Sequence, residues 1–247
     1  MTRIGFAYNQ KPDPIAANAA EAAHADEEPP SYGDSSGSAT TVATAPPLAD
    51  AFAEWDTPET IDAVAAALAR HGEVIRLEAD DDFPQRLRDE RPDIVFNIAE
   101  GLRGPNREAH VPAICEFYGV PYSGSDPFTL ALCLDKARTK ETLRAHNIAT
   151  PDWHLVRTAD DVAPLVRRRW RFPLFAKPVH EGSSKGITER NHVADAAALA
   201  PVVNALLEEY SQPVIVEHFL GGAEFTSAVL GNGRDARVLP IVALDFG

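Results

Sequence analysis

Short apolar runs and amphipathic stretches alternate over the first half of the chain. The apolar runs are rich in β-branched and aromatic residues, which predicts strands, and Ile61, Val64 and Leu68 recur at the spacing of one helix face. The predicted strands are residues 3–8, 74–77 and 93–97, and the helices between them start after Thr57 and at Phe83. The order β-α-β-α-β predicts a parallel sheet with right-handed crossovers.

The second half has a different pattern, and a domain boundary is predicted between about 125 and 150. Helices are predicted at 111–117, from Pro127, and at 135–147, 159–169 and 194–210. Strand candidates are residues 153–156, 174–177, 187–189, 214–217, 225–230 and 239–244. The turn residues Gly231-Asn232-Gly233 predict a hairpin, so this half is expected to be an antiparallel α+β unit.

Residues 10–50 interrupt the order of elements. This stretch is rich in Ala, Pro, Ser, Gly, Asp and Glu and has almost no large apolar side chain. Such a segment buries too little surface to offset the entropy of ordering it, so a disordered insertion is predicted.

Composition narrows the classes of function. The 247-residue chain carries a net charge of -14, which opposes binding to nucleic acid and to anionic membranes. No apolar run is long enough to cross a membrane, and no secretory signal is found. Cys115 and Cys133 lie in apolar stretches without metal-binding partners, so buried free thiols in a reducing cytoplasm are expected.

The segment Phe172–Gly186 (FPLFAKPVHEGSSKG) concentrates groups that can bind an anion. Lys177 ends a predicted strand, and a loop with two glycines, two serines and Lys185 follows. Backbone N–H groups of such a loop can surround phosphate oxygens, but Gly and Ser are also the ordinary residues of a surface turn. The GxxxxGK[ST] phosphate-binding pattern is absent.

Two further segments allow a functional and an ordinary interpretation. In Pro213–Gly231, Glu217 ends a strand and Glu224 precedes the next, which suits either a nucleotide-binding hinge or a plain hairpin. Lys136 and Lys140 lie four residues apart on one helix face, where they can point at phosphate or at solvent.

The order of these three segments is more informative than any one of them. DKxxxK, FPxxxKPxxEGSSxG and VIVExFxxGxEFT follow one another at intervals of about 40 residues, after VFNIAEG and a GVPYSGSDP turn. The combination resembles the D-alanine–D-alanine ligases of the ATP-grasp superfamily over roughly residues 60–245. The resemblance implies an α/β N-terminal parallel-sheet (pre-ATP-grasp) domain followed by an incomplete α+β ATP-grasp domain.

The resemblance also implies domain limits. The N-terminal domain is expected to comprise residues 1–9 and 51–125, with the insertion at 10–50. The small ATP-grasp subdomain is expected at 126–220, and the C-terminal subdomain begins at 221–247 and stops before that fold is complete.

Roles for individual residues follow from the same resemblance. Lys136 and Lys177 match lysines that contact the phosphates of ATP. Ser183 matches a serine near the substrates and is therefore a catalytic candidate. The remaining matches are the phosphate-covering loop Glu181, Gly182, Ser183 and Ser184, the adenine hinge with Glu217, Phe219 and Leu220, and the ribose-binding acid Glu224.

The sequence departs from the family pattern in three places. Glu100-Gly101 stands where the ligases have His-Gly. The glycine- and serine-rich first loop with its substrate-binding acid is absent after Tyr8, which makes Glu54 the nearest candidate for that acid and Glu59 the second. The Mg²⁺ ligands of the family are expected beyond residue 247.

The resemblance implies an ATP- and Mg²⁺-dependent ligase of peptidoglycan biosynthesis. Such a ligase joins a carboxylate to an amine through an acylphosphate, with D-alanine as the substrate, and acts in the cytoplasm as a homodimer without nucleic acid or membrane partners. Two alternatives remain open. One is a non-catalytic nucleotide-binding module, and the other is a ligase for another amino acid or a peptide.

Overall fold

The computed structural model describes residues 1–12, 50–101 and 103–245, so most of the predicted insertion lies outside the described residues. Both ends of that predicted insertion are nevertheless ordered. Gln10 forms a parallel bridge with Asp56. The Asp50 carboxylate accepts hydrogen bonds from Gly186 N and the Tyr210 hydroxyl, both at 2.8 Å. Gln10 and Asp50, the two ends of the predicted insertion, are therefore held by contacts with other described residues.

The first three strands form a parallel sheet in the order β2-β1-β3, which confirms the predicted β-α-β-α-β arrangement. Residues 4–8 of the central strand are all buried, as expected for a parallel strand covered on both faces. The strands are β1 (Arg3–Tyr8), β2 (Glu73–Glu78) and β3 (Ile94–Asn97), joined by the helices α1 (Pro58–Leu68) and α2 (Phe83–Glu90).

Three further helices follow, namely α3 (His110–Tyr118), α4 (Pro127–Leu134) and α5 (Lys136–Ala145). Aspartates cap two of these helices, because their carboxylates satisfy free backbone N–H groups in the first turn. Asp126 accepts from Thr129 N, and Asp135 accepts from Ala137 N and Arg138 N at 2.9 and 3.0 Å. The Asp135 cap fixes Lys136 as the first residue of α5.

The second sheet is antiparallel, in the order β4-β7-β5-β6. A buried core that includes Val156, Leu174 and Leu206 lies between this sheet and two helices. The strands are β4 (Trp153–Val156), β5 (Leu174–Pro178), β6 (His192–Val193) and β7 (Val214–His218), and the helices are α6 (Val162–Val166) and α7 (Ala196–Tyr210). The adjacency of β5 and β7 brings the second and third sequence segments together.

The final part of the described chain contains two short antiparallel pairs, β8 with β11 and β9 with β10. The predicted hairpin around Asn232 is present as the β9–β10 pair. The residues of both strand pairs are exposed, including large apolar side chains such as Phe225 and Val242. These strands are β8 (Glu224–Thr226), β9 (Val229–Leu230), β10 (Arg237–Val238) and β11 (Val242–Leu244).

Three sequence-based predictions are wrong. No strand forms at 187–189, where irregular residues lead into a 3-10 helix at Glu189–Asn191 that the side chains of Thr188 and Asn191 cap. The single strand expected at 225–230 is divided between β8 and β9. Cys133 is exposed, whereas Cys115 is buried as expected.

Candidate functional site

Two lysines and one glutamate meet between α5 and the second sheet. The Glu217 carboxylate in β7 is bound on one oxygen by Lys177 Nζ of β5 and on the other by Lys140 Nζ of α5, both at 2.6 Å. Lys177 reaches Glu217 because the two residues are diagonal neighbours on one face of the β5–β7 ladder. Lys140 also donates to Thr150 Oγ1 at 2.7 Å.

Lys136, one helical turn before Lys140, occupies a more positive environment. Its Nζ donates to the backbone oxygens of Val179, at 3.2 Å, and Glu181. Burial, followed by the positive charge of Lys177, lowers the pKa of Lys136 to about 8. Burial alone would raise the pKa of Glu217, but Lys177 and Lys140 outweigh it and lower that pKa. We call Lys136, Lys140 and Lys177 the lysine group, and this group favours an added negative charge near Lys136.

The loop that follows β5 lies directly beside Lys136. We call residues 180–186 the glycine loop. Ser183 and Ser184 are exposed and have left-handed backbone conformations, with φ of 44° and 62°. Lys185 N donates to Gly182 O at 2.8 Å, which closes a tight turn. The buried Asn191 supports the base of the loop by donating to Ala176 O and Gly186 O at 2.7 and 2.8 Å.

A buried arginine joins the glycine loop to the first half of the chain. Arg107 Nη2 contacts both oxygens of Glu54, at 2.9 and 2.8 Å, and Oε2 of Glu181 at 3.3 Å. Arg107 Nη1 donates to His180 O at 2.8 Å. Glu54 Oε1 in turn accepts from Gly182 N at 2.7 Å. We call the side chains of Arg107, Glu54 and Glu181, with His180 O and Gly182 N, the Arg107 network.

Glu54 also belongs to a group of three carboxylates. Ligand-type oxygens of Glu54, Glu100 and Glu108 all lie within 4.8 Å of one another. Burial, followed by the charges of Glu108 and Glu54, raises the pKa of Glu100 to about 7. Burial likewise raises the pKa of Glu108. Because Glu54 is already bound by Arg107 and Gly182, the group does not form a free ligand set for Mg²⁺, and we assign no metal to it.

The expected nucleotide hinge is only partly assembled. Phe219 packs against Phe175 and His192, with ring centroids 6.0 and 4.8 Å apart. Leu220 is exposed, and Glu224 is exposed in β8. Within residues 50–101 and 103–245, no ion pair joins Glu224 to the lysine group. The second candidate acid, Glu59, is exposed at the start of α1.

A cavity of about 680 Å³ lies against the Arg107 network. Its wall includes Phe52, Trp55, Arg107, Lys185 and Gln212. The aromatic rings of Phe52 and Trp55 pack at 4.8 Å between centroids. Apolar and charged groups thus share one concave surface, as in sites for small amphipathic molecules.

Sequence reasoning did not identify Arg107, Asp50 or Gln212. Arg107 contacts partners 53 and 74 positions away in the chain, and Asp50 contacts Gly186 136 positions away. Neither helical nor strand periodicity reports contacts at such distances. The only available signal was the charged Arg107-Glu108 pair directly before the apolar helix α3.

Comparison with known proteins finds similar sequences. Residues 142–244 match the family described as D-ala D-ala ligase C-terminus. A D-alanine–D-alanine ligase of Stutzerimonas stutzeri is 36% identical over 183 residues, which cover 74% of this chain and 55% of that protein. The chain is related to the D-alanine–D-alanine ligases. An uncharacterised protein of Sinorhizobium fredii, y4sG, is 35% identical over 206 residues, covering 78% of this chain and 58% of its own length.

Solved ligase structures have the same fold. A D-alanine–D-alanine ligase of Bacillus anthracis, crystallised with ATP, aligns with all of this chain and 67% of its own, with a TM-score of 0.59 and 19% identity. The ligase of Helicobacter pylori gives a TM-score of 0.62 at 15% identity and is covered to 76%. The predicted fold class, a parallel-sheet unit followed by an ATP-grasp unit, is thereby confirmed.

The similarity to the ligases extends over only part of their sequences. The chain spans a little over half of the curated relatives that it matches. No helix among the described residues is long and apolar enough to cross a membrane.

Proposed function

We propose that this protein is an ATP-dependent ligase that joins the carboxylate of one small amino acid to the amine of another. The observation that carries the proposal is the position of Lys136. Its amino group lies beside the glycine loop, and burial and the charge of Lys177 lower its pKa to about 8. A phosphate group in this place would relieve the repulsion between the two lysines.

Each part of the site has a proposed role in the reaction. Lys136 and Lys177 bind the phosphates of ATP, and the exposed Ser183 and Ser184 cover the γ-phosphate. The hinge at residues 217–220 holds the adenine, and Glu224 the ribose. When bound, MgATP supplies the phosphoryl group that activates the carboxylate as an acylphosphate. The amine then displaces phosphate, while the lysines stabilise the charge on the transferring oxygens.

D-alanine is the proposed substrate on the basis of the relatives, in a reaction of peptidoglycan biosynthesis in the cytoplasm. One observation favours a second candidate, a ligase for a different amino acid or a peptide. Glu54, the expected partner of the substrate amine, is bound by Arg107, and Glu100 stands beside it in place of the family histidine. These groups change the charge next to the glycine loop. Assembly as a homodimer is an additional proposal, which light scattering tests.

Release of ADP in the presence of amino acids tests the proposed function. We expect ADP and a dipeptide with D-alanine, or with one member of a panel of other amino acids and dipeptides, detected by mass spectrometry. The Lys177→Ala variant should form neither product. ATP binding without ADP release under every acceptor would instead support a non-catalytic nucleotide-binding module.

A further inference from the structure

We propose that Arg107 is a positioning residue that fixes the glycine loop for phosphate binding. In this proposal Glu54 acts as its partner and does not bind the substrate amine. The inference rests on the proposed function, because it names the residue that prepares the ATP site. Arg107 lies outside the three sequence segments of that site, between β3 and α3.

The contacts of Arg107 cover three consecutive loop residues. The guanidinium donates to the backbone oxygen of His180 at 2.8 Å and contacts the carboxylate of Glu181 at 3.3 Å. Glu54, held by the same guanidinium, accepts from Gly182 N at 2.7 Å. One buried side chain therefore fixes a carbonyl, a side chain and, through Glu54, an N–H group of the loop.

The lack of space around Gly182 supports the same conclusion. A Cβ atom added at Gly182 would lie 2.7 Å from Glu54 Oε1. The backbone of the loop thus approaches the Glu54 carboxylate so closely that only glycine is accommodated without a shift. Arg107 itself is only 8% exposed. Its charge is therefore weakly screened by solvent.

Arg107 also decides which charges remain for a ligand. Glu181 and Glu54 are the two carboxylates next to Lys136 that would otherwise attract its amino group. Arg107 pairs with both, and Lys185 adds a further contact to Glu181 at 3.0 Å. Lys136 then donates to backbone oxygens and keeps its charge available for an anion. Loss of Arg107 would remove the cation that both carboxylates share, and their negative charge would then compete more strongly with phosphate.

Amide hydrogen exchange on the full chain without ligand tests the positioning directly. In Arg107→Met we expect residues 180–186 to exchange about ten-fold faster or more, while the core of β5 and β7 is unchanged. Arg107→Lys should give an intermediate rate, because one ammonium nitrogen cannot replace both Nη2, which contacts the two carboxylates, and Nη1, which donates to His180 O. Arg138→Met, which breaks an exposed pair with Glu141, is the control and should leave the loop unchanged. Equal loop exchange in Arg107→Met and wild type would overturn the proposal.

MgATP binding by calorimetry separates this inference from the proposed function. We expect wild type to bind and Arg107→Met to bind about ten-fold more weakly or worse, with Arg107→Lys recovering part of the affinity. A folded wild type that binds no MgATP would refute the proposed function itself. Equal affinity of wild type and Arg107→Met would refute only the role of Arg107. If Arg107→Met does not fold, Arg107→Lys and Glu54→Gln carry the same two measurements and the same criteria.

Discussion

Lys136 shows how the environment of one residue can prepare a site for an anion. Burial and the nearby Lys177 lower its pKa to about 8, so near that pH a substantial part of the population is neutral in the free protein. A bound phosphate would restore the charged form, because opposite charges at close range favour ionisation. Ligand binding and proton uptake are therefore expected to be coupled at this residue.

Proton uptake on ATP binding is the first prediction. Near pH 8, wild type should take up about half a proton as it binds MgATP, because Lys136 changes from partly neutral to charged. Calorimetry in buffers of different ionisation enthalpy measures this number. Lys136→Arg is the matched control, because arginine stays charged, and it should bind without this uptake. Equal uptake by both proteins would contradict the assignment.

Glu100 gives the second prediction at this scale. Its pKa is raised to about 7 from 4.5, so the folded state holds its proton more tightly than the unfolded state. The stability associated with the protonated group is present below about pH 4.5 and is lost as pH rises to about 7. Glu100→Gln should therefore gain about 1–3 kcal/mol relative to wild type between pH 4.5 and 8.

Denaturant unfolding at several pH values measures this difference. The exposed Glu208 of α7 provides the control, and Glu208→Gln should show little change in relative stability with pH. A stability difference for Glu100→Gln that does not depend on pH would mean that Glu100 is ionised normally in the folded protein.

At the scale of elements, the turn between β3 and α3 determines where Arg107 lies. Gly101 has φ of +82°, and a Cβ atom at this position would lie 2.3 Å from the backbone oxygen of Arg107. Gly104 also has a positive φ, +88°, but has nothing within 4 Å of an added Cβ. Comparing substitutions at the two glycines therefore distinguishes the cost of the backbone conformation from the cost of a steric clash.

This pair of glycines gives the third prediction. Gly101→Ala should lower the free energy of unfolding by about 3 kcal/mol, because it adds a backbone clash to an unfavourable conformation. Gly104→Ala should cost about 1 kcal/mol, from the conformation alone. Only Gly101→Ala should also increase amide exchange of residues 180–186, through displacement of Arg107. Equal destabilisation by the two substitutions would contradict this assignment.

Local patterns predicted the elements that carry the lysines, but not how the site is completed. The apolar alternation of β5 and the Asp135 cap of α5 are both visible in the sequence, and they position Lys177 and Lys136. The 3-10 helix Glu189–Asn191 was missed because side-chain capping decided its structure. Arg107, Glu54 and Asp50 could not be assigned to the glycine loop, because their partners are remote in the chain and strand periodicity carries no information about them.

At the scale of the whole molecule, exposed apolar surface is unevenly distributed among the described residues. Residues 219–245 expose large apolar side chains on both short strand pairs, including Phe225, Val238 and Val242. Contiguous exposed apolar surface binds apolar ligands and favours association. Within the described chain, surface substitutions in this segment should therefore have the largest effect on binding of apolar ligands and on association.

Binding of an apolar fluorescent dye tests the fourth prediction. The double substitution Phe225→Ser and Val242→Ser should lower dye fluorescence roughly two-fold or more, because it removes exposed apolar groups from β8 and β11. Phe128→Ser removes a separate and even more exposed side chain in α4 and should have a smaller effect. A larger effect of Phe128→Ser would show that the dye binds elsewhere.

MgATP binding to the 247-residue chain, measured by calorimetry beside Lys177→Ala, tests the central claim most directly. The account predicts that wild type binds and that Lys177→Ala loses about ten-fold or more in affinity, because a charged phosphate contact is removed. Arg138→Ala, which removes an exposed positive charge that pairs with Glu141, should bind like wild type. Equal binding by wild type and Lys177→Ala, or no binding by folded wild type, would contradict the account.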